Sequence, residues 1–162
     1  MFKRVLISNR GEIAIRIARA ATALGVDSVA IYAPVDALSL HTRATTTSRA
    51  LPRDGVRAYL DIDAIVDAAK ASGCDCIHPG YGFLAENAAF ASACEAAGIA
   101  FIGPKPETID LFGDKLKARA LAQSLGVPVV PGSAEPLRSA DEAIATARDL
   151  GYPVMLKAAA GG

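Results

Sequence analysis

Lys157 closes the apolar run VML and is followed by AAAGG. A lysine at the end of a buried strand is costly unless an anion pairs with it. Glycines just beyond it offer backbone N–H groups to the same anion. Strand, lysine and glycine loop in that order read as a phosphate cradle. It is not a P-loop, because the lysine precedes the glycines and no G-K-[ST] follows. Lys115, in FGDKLKAR, falls in a helical pattern among other charges. The plain alternative for both is a surface lysine with its stem on the protein and its ammonium in water.

HPGYGFLAEN, residues 78–87, is the second unusual stretch. Gly80 and Gly82 bracket Tyr81, so the backbone can bend sharply and hold an aromatic ring over a cleft. Pro79 disfavours helix at His78. Glu86 and Asn87 open a helix, where a carboxylate favours the dipole. A structural turn capped by Glu86 is the plainer reading. His78 has no second ligand at metal spacing, since His41 is 37 residues away, and a metal site is not expected. SNRGEIAIRIARA follows a first strand but has one glycine where a dinucleotide fingerprint needs three. Nicotinamide or flavin binding is therefore not expected. Glu12 and Arg16 are spaced as a helix pair. Arg16 and Arg19 lie beside the apolar stripe, as a solvated face or as a subunit or interdomain contact.

The elements that must position these residues alternate. RVLIS (4–8), SVAIYA (28–33), CDCIH (74–78) and IAFIG (99–103) read as buried strands, with ATTTSRAL (44–51) as a strand nearer an edge. Helical patterns occupy 11–24, 62–72 and 87–97, and Ile13, Ile17, Ala21 and Leu24 mark the buried face of the first. This β-α-β order implies a mostly parallel sheet with helices on both faces. Ligands on such sheets sit at the carboxyl ends of the strands, where SNRGE, HPGYGFLAEN and GPKPET fall. The pattern then changes. PKPETIDLFGDKLKARALAQSLG reads as two helical pieces joined near Gly113, VPVVPG as a short strand, and YPVMLKA as another. SADE (139–142) is a capping box before a helix that runs to Leu150. A second domain, starting near residue 114, is expected.

Composition narrows the class. The 162 residues carry 17 basic and 17 acidic side chains, so there is no electrostatic case for nucleic acid. No apolar run approaches the roughly 20 residues of a membrane span, and the apolar run of MFKRVLISNRG is too short for a signal peptide. Three cysteines, Cys74, Cys76 and Cys94, argue for buried thiols and a cytoplasmic protein.

ISNRGEIAIRIARA (7–20), IHPGYGFLAEN (77–87), FIGPKPETIDLFGDK (101–115) and GYPVMLKAAAGG (151–162) together resemble the biotin carboxylase family, in order and spacing and over nearly the whole chain. The resemblance implies an α/β fold: a Rossmann-like parallel sheet, the pre-ATP-grasp domain, over 1–113, followed by the start of an ATP-grasp domain over 114–162. It implies that Lys115 and Lys157 contact ATP. Gly161 and Gly162 would begin a glycine-rich lid over ATP. Tyr81 and Glu86 would lie near the carboxylation cleft, and Arg16 and Arg19 on a helix used for subunit contact in a homodimer. The family reaction uses ATP and magnesium to activate bicarbonate and carboxylates biotin on a carrier protein. A carboxyltransferase component then serves the final acceptor. The family's magnesium glutamates and biotin-side base match nothing before residue 162. HTRATTTSRAL (41–51) departs from the family, with Thr45–Thr47 in place of an acidic stretch. Two other readings stand beside this one: another ATP-grasp ligase of the carbamoyl-phosphate synthase kind, and a non-catalytic interaction module.

On this resemblance the chain reads as the N-terminal fragment of a longer carboxylase, inactive by itself. Purified 1–162 is expected to show no biotin-dependent ATP cleavage in a sensitive phosphate-release assay. Measurable biotin-dependent cleavage would contradict that.

Overall fold

The computed structural model describes residues 1–133 and 135–157. The chain divides into two compact units, Met1–Ile109 and Asp110–Gly162.

The first unit is a five-stranded sheet. β1 (Arg4–Ile7), β2 (Asp27–Tyr32), β3 (Thr47–Ala50), β4 (Cys76–His78) and β5 (Ala100–Phe101) lie in the order β3-β2-β1-β4-β5. Every adjacent pair is parallel. Parallel neighbours need crossovers. α1 (Gly11–Ala23) links β1 to β2, α2 (Ile62–Ala71) leads into β4, and α3 (Ala88–Ala96) joins β4 to β5. Two short 3₁₀ turns, Pro34–Asp36 and Leu40–Arg43, connect β2 to β3 without an α-helix.

Successive side chains of a strand point to opposite faces. Val5 and Ile7 therefore meet Ala14, Ile17, Ala18 and Ala21 of α1 on one face. Leu6 faces the other way, into a larger core with Val29, Ile31, Ile77, Ile65, Phe90 and Cys94. α1 covers one side of the sheet, and α2 and α3 the other. Leu24, expected on the buried stripe, is exposed: the helix has ended, and Leu24 is its C-terminal cap. β3 is an edge strand and all four of its residues are exposed, as its weaker apolar character predicts. The three thiols are buried and unpaired; burial pushes Cys74 to about 11 and Cys76 to about 12. At the amino ends, Arg4 bridges Asp27 at 2.9 Å and Ser72 O at 3.1 Å. Asp75 accepts the N–H groups of Lys3 and Arg4. No helix among the described residues is long and apolar enough to cross a membrane.

α4 (Pro106–Gly113) runs across the division between the units. The second unit continues with α5 (Lys115–Ser124) and α6 (Ala140–Leu150). Asp114 caps α5 by accepting from Leu116 N and Lys117 N. Ser139 caps α6 through Glu142 N at 3.1 Å. Glu142 reaches back as a capping box requires, but takes the N–H of Arg138, one residue before the cap. The strands expected at VPVVPG and YPVMLKA do not form over their described residues. A strand needs a neighbour for its N–H and C=O groups, and neither stretch has one there. Arg119 of α5 instead donates to Val130 O at 2.6 Å.

Replacing Leu6, 0% exposed, by alanine is expected to cost about 2–5 kcal/mol of stability. Leu38→Ala, at a side chain 83% exposed, should stay within about 0.5 kcal/mol. Urea unfolding followed by circular dichroism measures both. Equal effects would contradict this placement of the core.

Candidate functional site

The strand order reverses between β1 and β4, so the loops at their carboxyl ends flank a crevice, the place where ligands bind such sheets. On the β1 side is Ser8-Asn9-Arg10; on the β4 side is His78 through Phe83.

Asn9 is 2% exposed. Its carboxamide nitrogen donates to Pro79 O and Tyr81 O, both at 2.8 Å, and its oxygen accepts from Arg10 N at 2.9 Å. One side chain thus ties the β4 loop to the β1 turn. Gly80 lies so close that an added Cβ would stand 2.7 Å from Asn9 Nδ2, and its φ of +69° is left-handed. His78 Nδ1 accepts from Gly80 N at 3.0 Å, which puts the proton of a neutral ring on Nε2. Phe83, with φ of 45°, stacks on Tyr59 with ring centroids 5.3 Å apart.

Beside this loop lies an ionic cluster in which a buried carboxylate, Asp36, meets the exposed Arg10. Arg10 donates from two nitrogens to both oxygens of Asp36. The Tyr59 hydroxyl donates to Asp36 Oδ2 at 2.8 Å and accepts from Ala33 N at 3.1 Å. The Arg10 hydrogen bonds hold the Asp36 carboxyl below the usual range against the opposing effect of burial, and burial pushes the Tyr59 phenol up to about 12. His41 is 1% exposed. Its Nε2 lies 3.3 Å from Ile31 O, and its Nδ1 has no hydrogen-bond partner among the described residues. Burial holds His41 below its ordinary value. With the Asp36 oxygens bound to Arg10 and Tyr59, the cluster is a brace for the loops, not an open nucleophile.

The site residues expected from sequence fall as follows. Tyr81 is 61% exposed, and its hydroxyl donates to Glu12 Oε1 at 2.7 Å. Glu12 thus bonds Tyr81, not Arg16 as the helix spacing predicts. Arg16 and Arg19 are exposed on α1, and Glu86 is exposed in the turn before α3. Glu86 is not the helix cap. Asn87 is, its oxygen accepting from Phe90 N at 3.0 Å, because a short side chain reaches the third N–H of the helix more directly. In the second unit Lys115 is the first residue of α5 and exposed, and Lys157 is exposed in non-regular backbone. Gly161 and Gly162 lie outside the described residues. Sequence reasoning missed Asn9, Asp36 and Tyr59. The only available signal was SNRG at a strand end, since Asn9 meets Pro79 and Tyr81 from 70 and 72 positions away.

The first unit is thus a doubly wound α/β domain with its polar loops gathered at the switch point. The family description "Biotin carboxylase, N-terminal domain" matches residues 1–109, and "Carbamoyl-phosphate synthase L chain, ATP binding domain" matches 114–162. The chain belongs to the biotin carboxylase family. It is 52% identical to the biotin carboxylase of Halalkalibacterium halodurans over 100% of this chain and 36% of that protein. It is 48% identical to the mitochondrial pyruvate carboxylase of Rattus norvegicus over 99% of this chain and 14% of that protein. Among solved structures it is similar to the biotin carboxylase domain dimer of Hydrogenobacter thermophilus 2-oxoglutarate carboxylase in complex with MgADP, ADP and bicarbonate. There the TM-score is 0.95 and the identity 46%, over 100% of this chain and 36% of that one. The chain therefore spans about a third of the length of the biotin carboxylase it matches.

Burial holds both His41 and His78 below the ordinary value of 6.5. The unfolded chain then binds more protons than the folded one below that value. This part of the stability is complete above about pH 6.5 and lost as pH falls toward the folded values. The urea midpoint is expected to be lower at pH 5 than at pH 7, with a smaller drop in His41→Gln. A midpoint indifferent to pH over that range would contradict it.

Proposed function

We propose that this chain is the N-terminal part of an ATP-dependent biotin carboxylase, a ligase that carboxylates carrier-bound biotin with bicarbonate. The single observation that carries the reading is the end-to-end similarity, at a TM-score of 0.95, to a biotin carboxylase domain described as bound to MgADP and bicarbonate. Residues 1–113 are read as the Rossmann-like domain and 114–162 as the opening of the ATP-grasp domain.

In this reading Lys115 and Lys157 meet ATP phosphates as compact cations. Lys157 has no ion pair among the described residues, so its ammonium is available to an anion. The described residues offer no group of three or more His, Cys, Asp or Glu that could hold a metal ion. Magnesium that accompanies a nucleotide is usually held by one or two carboxylates together with the phosphates, and no step is assigned to the metal. Gly161 and Gly162 are assigned to the lid. Tyr81 and Glu86 line the carboxylation cleft on the side of this domain, where Tyr81 supplies a phenol oxygen and the Asn9 clamp holds its backbone. Arg16 and Arg19 of α1 make the subunit contact of a homodimer. A biotin carrier and a carboxyltransferase component are the further partners. Three buried, unpaired thiols favour a cytoplasmic setting.

The test is ATP cleavage by the full-length protein with bicarbonate, with and without biotin. Biotin-stimulated cleavage is expected, and Lys115→Ala and Lys157→Ala should each raise KM for ATP at least about tenfold, as loss of a charged phosphate contact does. The match of 114–162 to a carbamoyl-phosphate synthase domain keeps a second ligase class in the assay. Stimulation by ammonia or glutamine but not by biotin would overturn the biotin reading.

A further inference from the structure

Glu12 stands in the first turn of α1, where a carboxylate is favourably placed against the helix dipole and where the buried face of α1 packs on the sheet. Its Oε1 takes the Tyr81 hydroxyl at 2.7 Å, a short charge-assisted bond. The Tyr81 ring is exposed, so packing does not choose its orientation. Two tethers do. Asn9 fixes the backbone on either side of Gly80 through Pro79 O and Tyr81 O, and Glu12 fixes the far end of the ring. Between them, Gly80 seats the loop flush on Asn9.

A phenol has one proton to donate and oxygen lone pairs that accept. With the proton given to Glu12, the oxygen is left to accept. The same bond raises the phenol pKa of Tyr81, which keeps that proton in place. We propose that Glu12 is a positioning residue that makes Tyr81 a hydrogen-bond acceptor for an N–H group of the biotin ureido ring. This rests on the reading of Tyr81 as a cleft residue of a biotin carboxylase. Glu12 acts only through Tyr81 and touches no substrate.

The experiment uses the full-length protein and free biotin, with KM for biotin and KM for ATP measured separately. The variants are Glu12→Gln, Tyr81→Phe and the pair. Glu12 is exposed, so Glu12→Gln leaves the core untouched, and circular dichroism checks the fold of each variant. Each single variant is expected to raise KM for biotin about threefold to tenfold, the effect of one hydrogen bond. KM for ATP should move less than about twofold. In the Tyr81→Phe background, Glu12→Gln should add nothing, because its route to the substrate is gone. Additive effects of the two substitutions, or equal shifts in both KM values, would overturn the positioning role. So would a biotin-stimulated enzyme whose KM for biotin ignores both substitutions, and that result would leave the functional reading standing. Absence of any biotin stimulation in the unsubstituted protein would overturn both.

Discussion

The carboxamide of Asn9 joins two loops that belong to different strands. It is buried, and it spends both of its N–H groups on carbonyls of the β4 loop and its oxygen on the turn that starts α1. A buried amide left unpaired is costly, so the β4 loop can leave Asn9 only at the expense of two hydrogen bonds. Much else at this end of the sheet depends on that arrangement. Gly80 must lack a side chain, His78 Nδ1 takes the Gly80 N–H, and Tyr81 is delivered to Glu12. The constraint acts at the switch point between β1 and β4, where the two crossovers diverge to opposite faces and leave a crevice.

A second constraint is electrostatic. Asp36 is an almost fully buried carboxylate, a state that persists only when the charge is paired and hydrogen-bonded. Arg10 supplies the charge, and Tyr59 and Ser39 add hydrogen bonds. The cluster replaces the helix that most β-α-β crossovers would place after β2, and its 3₁₀ turns carry Asp36 and His41 inward. Tyr59 then hands the order on to Phe83 by stacking. HPGYGFLAEN is thus held at two points, by Asn9 at Pro79 and Tyr81 and by Tyr59 at Phe83.

Strand positions were legible because a buried parallel strand reads as an unbroken apolar run, as in RVLI and SVAIY. The edge character of β3 was legible for the complementary reason, Thr47, Ser48 and Arg49 being compatible with exposure. Local rules failed where two residues competed for one role. Glu86 and Asn87 both suit a helix start, and Asn87 wins because its short side chain reaches Phe90 N. Glu12 has a favourable partner four residues on, yet bonds Tyr81, 69 positions away. VPVVPG and YPVMLKA have the composition of strands, but composition makes a strand only where a ladder partner exists. In the second unit Arg119 takes the Val130 carbonyl that such a ladder would use.

The sequence by itself determined the alternation of strands and helices, the parallel sheet, the buried thiols and the family, because apolar periodicity and long local motifs are properties of contiguous residues. Tertiary structure alone decided which polar atoms meet. The Asn9 clamp, the Asp36 cluster and the Glu12–Tyr81 bond each join residues more than 20 positions apart in the chain. Hydrogen bonds are satisfied by distance and angle in space, and no spacing along the chain encodes them until the sheet has brought the carboxyl ends of its strands together.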